Sequence, residues 1–320
     1  MTNYTWPVSW NAIPSDLPEE DAEAFVQLCM GRRGHILGSI HNLAAAGKLH
    51  RVGKMVGPYL ACGSVKVALL AKACRRKGAD WPAPKILAEA RKLSLYKPCE
   101  ERVIARFEEM QNKPNPRLVA CFGPRELARQ LMAKDVLQLR ARLHPNQFVC
   151  QGGMDAIQPW LHQELPKYSY VLTTDFPCFF PTLNRKLVKE TVPLPRAVIE
   201  QVLFAPLERM EAQKHPWFGI RITEEDLCFD VCGVRSGWGI PPGSALSPLA
   251  AECALRPILE AVEEKVSGVQ VATYADNLII LAKSQGAAEA AKNALISVVE
   301  DHFHSRVVNE LRSRSDINHR

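Results

Sequence analysis

The chain has 320 residues, 47% of them hydrophobic and 23% charged, with 40 Lys and Arg against 34 Asp and Glu. These proportions suit a packed globular protein of about two domains and exclude wholesale disorder. No run approaches the ~18 apolar residues of a membrane span, and the opening MTNYTWPVSWNAIPSDLPEEDAEAF lacks the basic-then-apolar layout of a secretory signal. A cytoplasmic protein with no membrane partner is expected.

The net charge of +6 hides an asymmetry. Residues 1–150 hold 23 Lys and Arg and 13 Asp and Glu, whereas residues 151–320 hold 17 and 21. Between Gly31 and His144 the basic excess reaches 15. A polyanion partner is expected for the first half, with a solvated Lys-rich helical surface as the alternative. The ten cysteines are scattered, and the closest pair, Cys228 and Cys232, has no matching second pair. Mostly buried thiols are predicted, with zinc as the alternative.

In chain order, residues 1–18 carry Pro and Trp and read as irregular. Over 19–112, apolar residues recur every three or four positions with Lys and Arg between them, and the span is predicted to be mainly helix. Pro114 and Pro116 break the pattern. RLVACF (117–122) follows as a predicted strand, Gly123-Pro124 as a turn and PRELARQLMAKDVLQLRARL as helix. Later, YSYVLTTDF (168–176) and VQVATYADNLIILAK (269–283) read as buried strands, the second interrupted at Ala-Asp-Asn. Helices are predicted over NRKLVKETV, PRAVIEQVLFAPLERMEAQ, SPLAAECALRPILEAVEEKV and SQGAAEAAKNALISVVEDHF, with Ser247 and Ser284 as N-caps. The order of elements predicts an α+β fold.

Two acids stand out. Asp175 ends one strand run and Asp276 interrupts the other, although burying a carboxylate costs several kcal/mol unless it is paired or metal-bound. A bridging divalent cation would offset that cost and would suit two-metal phosphoryl transfer. A turn or cap Asp is the plain alternative for either acid. Between them lies GWGIPPGSALSP (237–248), whose glycines allow a close approach to the backbone before a helix begins.

The three segments in this order resemble the reverse transcriptase family of right-hand polymerases, over about residues 112–303. TTDFPCFF looks like the first palm motif, GIPPGSALSP like G-x-P-Q-G-x-x-x-S-P, and YADN like the Y-x-D-D hairpin. The resemblance implies a helical N-terminal region (1–111) followed by fingers and palm (112–320), the palm on a ferredoxin-like βαββαβ sheet. It implies that Asp175, Asp276 and the main-chain carbonyl of Phe176 hold two Mg²⁺ ions, with Mn²⁺ as a substitute. Asn277 completes the catalytic hairpin. Phe180 matches the aromatic that excludes a 2′ hydroxyl, which implies dNTP substrates and argues against an RNA-dependent RNA polymerase. Arg117, Arg125 and Gly243 are the implied nucleotide contacts. Gln151, Gly152, Gly153, Pro242 and Tyr274 are the implied template or primer contacts.

The sequence departs from the family pattern at three places. Asn277 replaces the second Asp of the hairpin, which implies weaker or Mn²⁺-favouring metal binding. Pro242 replaces the usual Gln. After Phe303 only Arg312 and Arg314 stand near the expected basic turn, and little or no thumb is expected. Absent segments argue against a self-sufficient retroelement, and the likeness is to diverged, retron-like or defence-associated bacterial enzymes. The implied partners are a template or structured non-coding RNA, a DNA product, and another copy or a sister polymerase chain. The competing expectation is a catalytically weak or inactive scaffold that binds nucleic acid or a sister polymerase.

Overall fold

A computed structural model of the chain describes residues 10–108, 117–176, 179–212, 239–303, 308 and 316–319. The protein is a mixed α+β structure of two compact units. Met1–Arg140, Pro193–Gln213 and Gly243–Leu246 form the first, and Ala141–Val192, Lys214–Pro242 and Ser247–Arg320 form the second. The units therefore do not divide at residue 111. The NKPNP break, the pair Cys228 and Cys232, Cys178, Arg312 and Arg314 lie outside the described residues. Of the seven described cysteines, Cys29, Cys62, Cys74 and Cys253 are buried thiols. No helix among the described residues is long and apolar enough to cross a membrane.

The first unit begins with four helices, α1 (Glu19–Ala45), α2 (Leu49–Ala61), α3 (Gly63–Lys77) and α4 (Ala83–Lys92). On α1 the buried residues Ala22, Val26, Cys29, Ile36 and Ile40 form a single stripe, as the helical spacing predicts. Helix α3 is buried through most of its length and packs against α1, α4 and α5 (Pro124–Arg140). Three of its five charges, Arg75, Arg76 and Lys77, stand in the last turn, where cations suit the carbonyl end of a helix. Gly78, in the left-handed region at φ 62°, ends it. An ion pair ties α1 to α5: Arg33 donates from Nη2 to Oδ1 of Asp135 at 2.7 Å and from Nε to Oδ2 at 3.0 Å. The Tyr59 hydroxyl of α2 donates to the same carboxylate at 2.5 Å.

Two parts of this unit correct the helical reading. Strand β1 (Val103–Glu108) lies inside the span read as mainly helix, and pairs antiparallel with β2 (Arg117–Phe122). Val103 and Ala105 are buried and Arg106 is exposed, so the period of two governs here. The segment read as one helix over 195–213 splits into α9 (Arg196–Val198), a π-turn (Ile199–Phe204), α10 (Ala205–Glu208) and β4 (Met210–Ala212). Strand β4 pairs parallel with β1, so a long-range ladder overrides local helix propensity.

Buried charge organises the start of α5. The carboxylate of Glu101 accepts from the main-chain N–H groups of Arg125 (3.1 Å) and Glu126 (2.7 Å), capping the helix from a distant loop. Arg129, 1% exposed, donates to Glu126 Oε2 at 2.8 Å and to the carbonyls of Ser94, Lys97 and Gln201. Arg209 donates to the same Glu126 oxygen at 3.1 Å.

The second unit holds a four-stranded antiparallel sheet of order β5-β6-β3-β7, with β3 at Tyr170–Asp175, β5 at Val269–Tyr274, β6 at Asn277–Ala282 and β7 at Asp316–His319. Between β3 and β5 run α7 (Phe179–Thr182), α8 (Arg185–Thr191) and α11 (Ser247–Lys265), and α12 (Gln285–Glu300) follows β6. Helices α11 and α12 pack on each other; α11 packs on β5, and α12 packs on β3 and β6. Leu172, Val271, Leu278, Ile280 and Leu281 are fully buried in the sheet. Ser284 caps α12, its Oγ accepting from Ala287 N at 3.2 Å. Ser247 is the first residue of α11 and caps nothing; its hydroxyl donates to Pro241 O at 2.7 Å. The bend that brings Pro241 back over the helix start offers that carbonyl as the nearer partner.

Candidate active site

Three segments far apart in sequence meet by main-chain hydrogen bonds within the second unit. Strand register sets Asp175 opposite Asn277. One residue on, Phe176 N donates to Asp276 O at 2.8 Å. The glycine-rich segment lies along the chain just past Asp175: Ile240 N donates to Phe180 O (2.9 Å) and Gly239 N to Leu183 O (2.7 Å). Gly239 has φ 85°, and a Cβ there would stand 2.8 Å from Pro181 O, so only glycine allows this approach.

Aromatic packing fixes the residues after Asp175. Phe176 is fully buried and stacks on Phe303 (5.0 Å between centroids) and on Phe179 (5.7 Å). Phe180 is half-buried, tilted against Phe179 at 5.3 Å. The buried ring of Phe176 anchors the chain, while Asp175 beside it is exposed.

The hairpin between β5 and β6 turns through two residues, Ala275 and Asp276. Ala275 has φ 56° and is, among the described residues, the sole non-glycine at positive φ. Glycine normally fills the first central position of such a turn. Strain of this kind persists where the surroundings over-determine it, and it gathers at functional sites. Ala275→Gly is expected to stabilise the second unit by about 0.5–1 kcal/mol, the left-handed penalty removed less the added chain entropy. A urea midpoint that falls instead of rising would count against the strain.

Asp175 and Asn277 are exposed and Asp276 is half-buried. Among the described residues neither carboxylate has an ion pair or a hydrogen bond. Asn277 Nδ2 donates weakly to Tyr274 O at 3.4 Å. Paired strand positions project side chains to one face, so Asn277 faces the same way as Asp175. No group of three or more His, Cys, Asp or Glu residues is poised to share a metal among the described residues. The donors here are two uncommitted carboxylates with main-chain and amide oxygens, an all-oxygen set that fits a hard cation such as Mg²⁺.

The loop before α6 (Met154–Glu164) is bound to β5. Thr273 N donates to Asn146 O (2.9 Å), Phe148 N to Thr273 O (3.0 Å) and Asn146 Nδ2 to Val271 O (3.0 Å). The His144 ring meets Glu263 at 3.1 Å, and Glu263 also accepts from Val271 N at 2.8 Å. Burial works against the Glu263 carboxylate, but the His144 ring and the Val271 N–H outweigh it and hold its pKa below the usual range. Tyr274 packs on a cluster of Phe148, Ile157 and Ala272 with Trp160. The turn Gln151–Gly153 therefore stands beside the hairpin. Gln151 spends its amide on the carbonyls of His144 (2.7 Å) and Gln147 (2.8 Å), while Gly152 and Gly153 hold positive φ. The one sequence signal for Asn146, Gln147 and His144 is a polar HPNQ run directly before an apolar Phe-Val.

The remaining candidates fall in the first unit or inside the protein. Arg117 opens β2. Arg125 pairs with Glu89 at 3.2 Å and stands 3.7 Å from Glu101, so its charge is already answered. Gly243, at φ 87°, is exposed, and a Cβ on it would stand 2.5 Å from Val119 Cγ1 and 2.7 Å from Ala120 O. Pro242 is buried.

No family model matches the chain, and no curated protein matches it.

Proposed function

We propose that the chain is a reverse-transcriptase-like nucleotidyltransferase that extends DNA from dNTPs on a nucleic-acid template. The observation that carries this reading is the direct hydrogen bonding of the Asp175, Gly239-Ile240 and Asp276 segments, which leaves two uncommitted carboxylates at one end of the sheet. The strand order supports it too. Strand, helices, two strands, helix and strand, with β3 between β6 and β7, form the split β-α-β arrangement expected of a palm.

Asp175, Asp276 and the Phe176 carbonyl would hold Mg²⁺ or Mn²⁺. When bound, such ions supply charge neutralisation at the phosphates and a lowered pKa for the attacking 3′ hydroxyl. Phe180, beside this end of the sheet, presents an apolar ring where a sugar 2′ hydroxyl would find no hydrogen-bond partner. The nucleotide-contact roles of Arg117 and Gly243 rest on the resemblance alone, and Arg125 is the weaker candidate because of its pairing.

The test supplies the full chain, with its co-purifying nucleic acid, with labelled dGTP or GTP and Mg²⁺ or Mn²⁺. Incorporation of dGTP is expected, and Phe180→Ala is expected to raise GTP use by about tenfold or more, the loss of roughly 1.4 kcal/mol of discrimination. Unchanged GTP use removes the sugar-filter role of Phe180. Absence of incorporation in either metal favours the second reading, a nucleic-acid-binding scaffold. The uncharged Asn277 and the buried Pro242 favour that reading.

A further inference from the structure

The stretch from Ala24 to Ala79 holds ten Lys or Arg and no Asp or Glu. It spans most of α1 and all of α2 and α3. On α3, Lys72 and Arg76 are one helical turn apart and share a face. Lys134 on α5 adjoins Asp135, the partner of Arg33, and α3 packs against both α1 and α5. Asp135 is the acid that faces this group, and it is taken up by Arg33 and the Tyr59 hydroxyl. Partial burial lowers the pKa of Lys72, and repulsion from Arg33, Arg76 and Lys134 lowers it further, so the like charges feel one another. Arg76 is exposed, and Lys72 and Lys134 are partly so. Among the described residues none of the three has an ion-pair partner. Holding such a group together costs free energy unless an anion answers it.

Two features narrow the anion. Exposed Lys48, Arg51 and Lys54 add positive charge in and just before α2, a helix that packs against both α3 and α5, and the stretch holding them has no acids. A repeating array of phosphates suits so broad a surface better than one small anion. The stretch itself offers little for stacking: Trp10, the ring packed against it, is already engaged by Arg32 and His35, and Phe25 is half-buried. Its Phe, Tyr and Trp residues are Phe25 and Tyr59, and Tyr59 is fully buried and bonded to Asp135. Unpaired strands are held largely by aromatic stacking, whereas duplexes are held through their phosphates.

We infer that the helical face around Lys72, Arg76 and Lys134 binds the phosphate backbone of a double-stranded nucleic-acid segment without reading its sequence. This surface belongs to the first unit, the Asp175 and Asp276 carboxylates to the second, and the inference does not rest on the catalytic reading.

The test is fluorescence anisotropy of the full chain, freed of co-purifying nucleic acid. The probes are a labelled 20-base-pair RNA duplex, the matching DNA duplex and either single strand, at about 50–300 mM KCl. Both duplexes are expected to bind at least tenfold more tightly than the single strands. A triple variant, Lys72→Gln, Arg76→Gln and Lys134→Gln, should bind duplex at least tenfold more weakly. Its log-affinity against log-salt slope should fall by about two to three, near 0.9 per lost phosphate contact. Lys265→Gln with Lys283→Gln, exposed in the second unit, should change neither. Lys72→Arg with Lys134→Arg should restore binding, which separates lost charge from lost folding. Asp175→Ala should bind duplex normally, so a failed polymerase assay leaves this result standing. Equal affinity for single strands, an unchanged salt slope in the triple variant, or binding to an acidic polypeptide such as polyglutamate in place of duplex would each overturn the inference.

Discussion

Asp175→Ala or Asp276→Ala is expected to lower dNTP incorporation by about 10³-fold or more, a loss of roughly 4 kcal/mol at the transition state. Asp175 ends β3 in register with Asn277, Asp276 is the turn residue just before Asn277, and no side chain among the described residues competes for either acid. Each variant removes a full charge from a site whose main-chain geometry should survive, because Phe176 remains anchored on Phe179 and Phe303. Primer-extension assays in Mg²⁺ and in Mn²⁺ read the loss, with thermal melting as the folding control. Incorporation unchanged by Asp175→Ala would remove the catalytic assignment. Asn277→Asp belongs to the same test. It would set a second carboxylate directly across the ladder from Asp175, with Cβ atoms about 5 Å apart. Like charges so close should lower stability without metal and raise it when Mg²⁺ is added. The variant should therefore melt lower in chelator, gain more than the parent from Mg²⁺, and shift activity from Mn²⁺ toward Mg²⁺.

The sequence carried most of this site because its parts are local. A β-rich run ending in Asp, a glycine-rich helix entry and a two-residue interruption in an apolar run each depend on a few neighbours. The meeting of Asp175 with Asn277 was legible only through the family resemblance, since register is a long-range property. Ala275 shows a limit of another kind. Without glycine in YADN, the sequence suggests an interruption but does not announce a left-handed alanine. Arg125 shows a third limit: nothing local says that Glu89, 36 positions earlier, reaches its guanidinium. Strands β1 and β4 read locally as helix because their partners lie elsewhere in the chain. Ser247 looked like a cap because the rule is local, while the acceptor that claims its hydroxyl, Pro241 O, depends on how the preceding loop folds back.

Arg129→Met is expected to destabilise the first unit by about 3–5 kcal/mol. Arg129 is 1% exposed, and its guanidinium reaches the Ser94, Lys97 and Gln201 carbonyls as well as Glu126. Methionine fills similar volume but donates nothing. It would leave these carbonyls without their donor and Glu126 dependent on Arg209, whose side chain is 27% exposed and better screened. A buried acceptor left unmatched costs about 1–3 kcal/mol, and a half-paired buried carboxylate costs more. Arg129→Lys should recover little of the loss, because one ammonium cannot serve acceptors spread around a planar fork. Arg209→Met, acting on a more exposed cation, should cost about 1–2 kcal/mol. Urea denaturation measures all three, and the midpoint should fall in the order Arg129→Met, Arg129→Lys, Arg209→Met, the first falling furthest. The order follows from burial: Arg209 also reaches several acceptors, the Cys99 and Glu101 carbonyls among them, but its side chain is 27% exposed and water can replace it, whereas Arg129 is 1% exposed. Equal midpoints for Arg129→Met and the parent chain would mean that the network contributes specificity of packing without net stability.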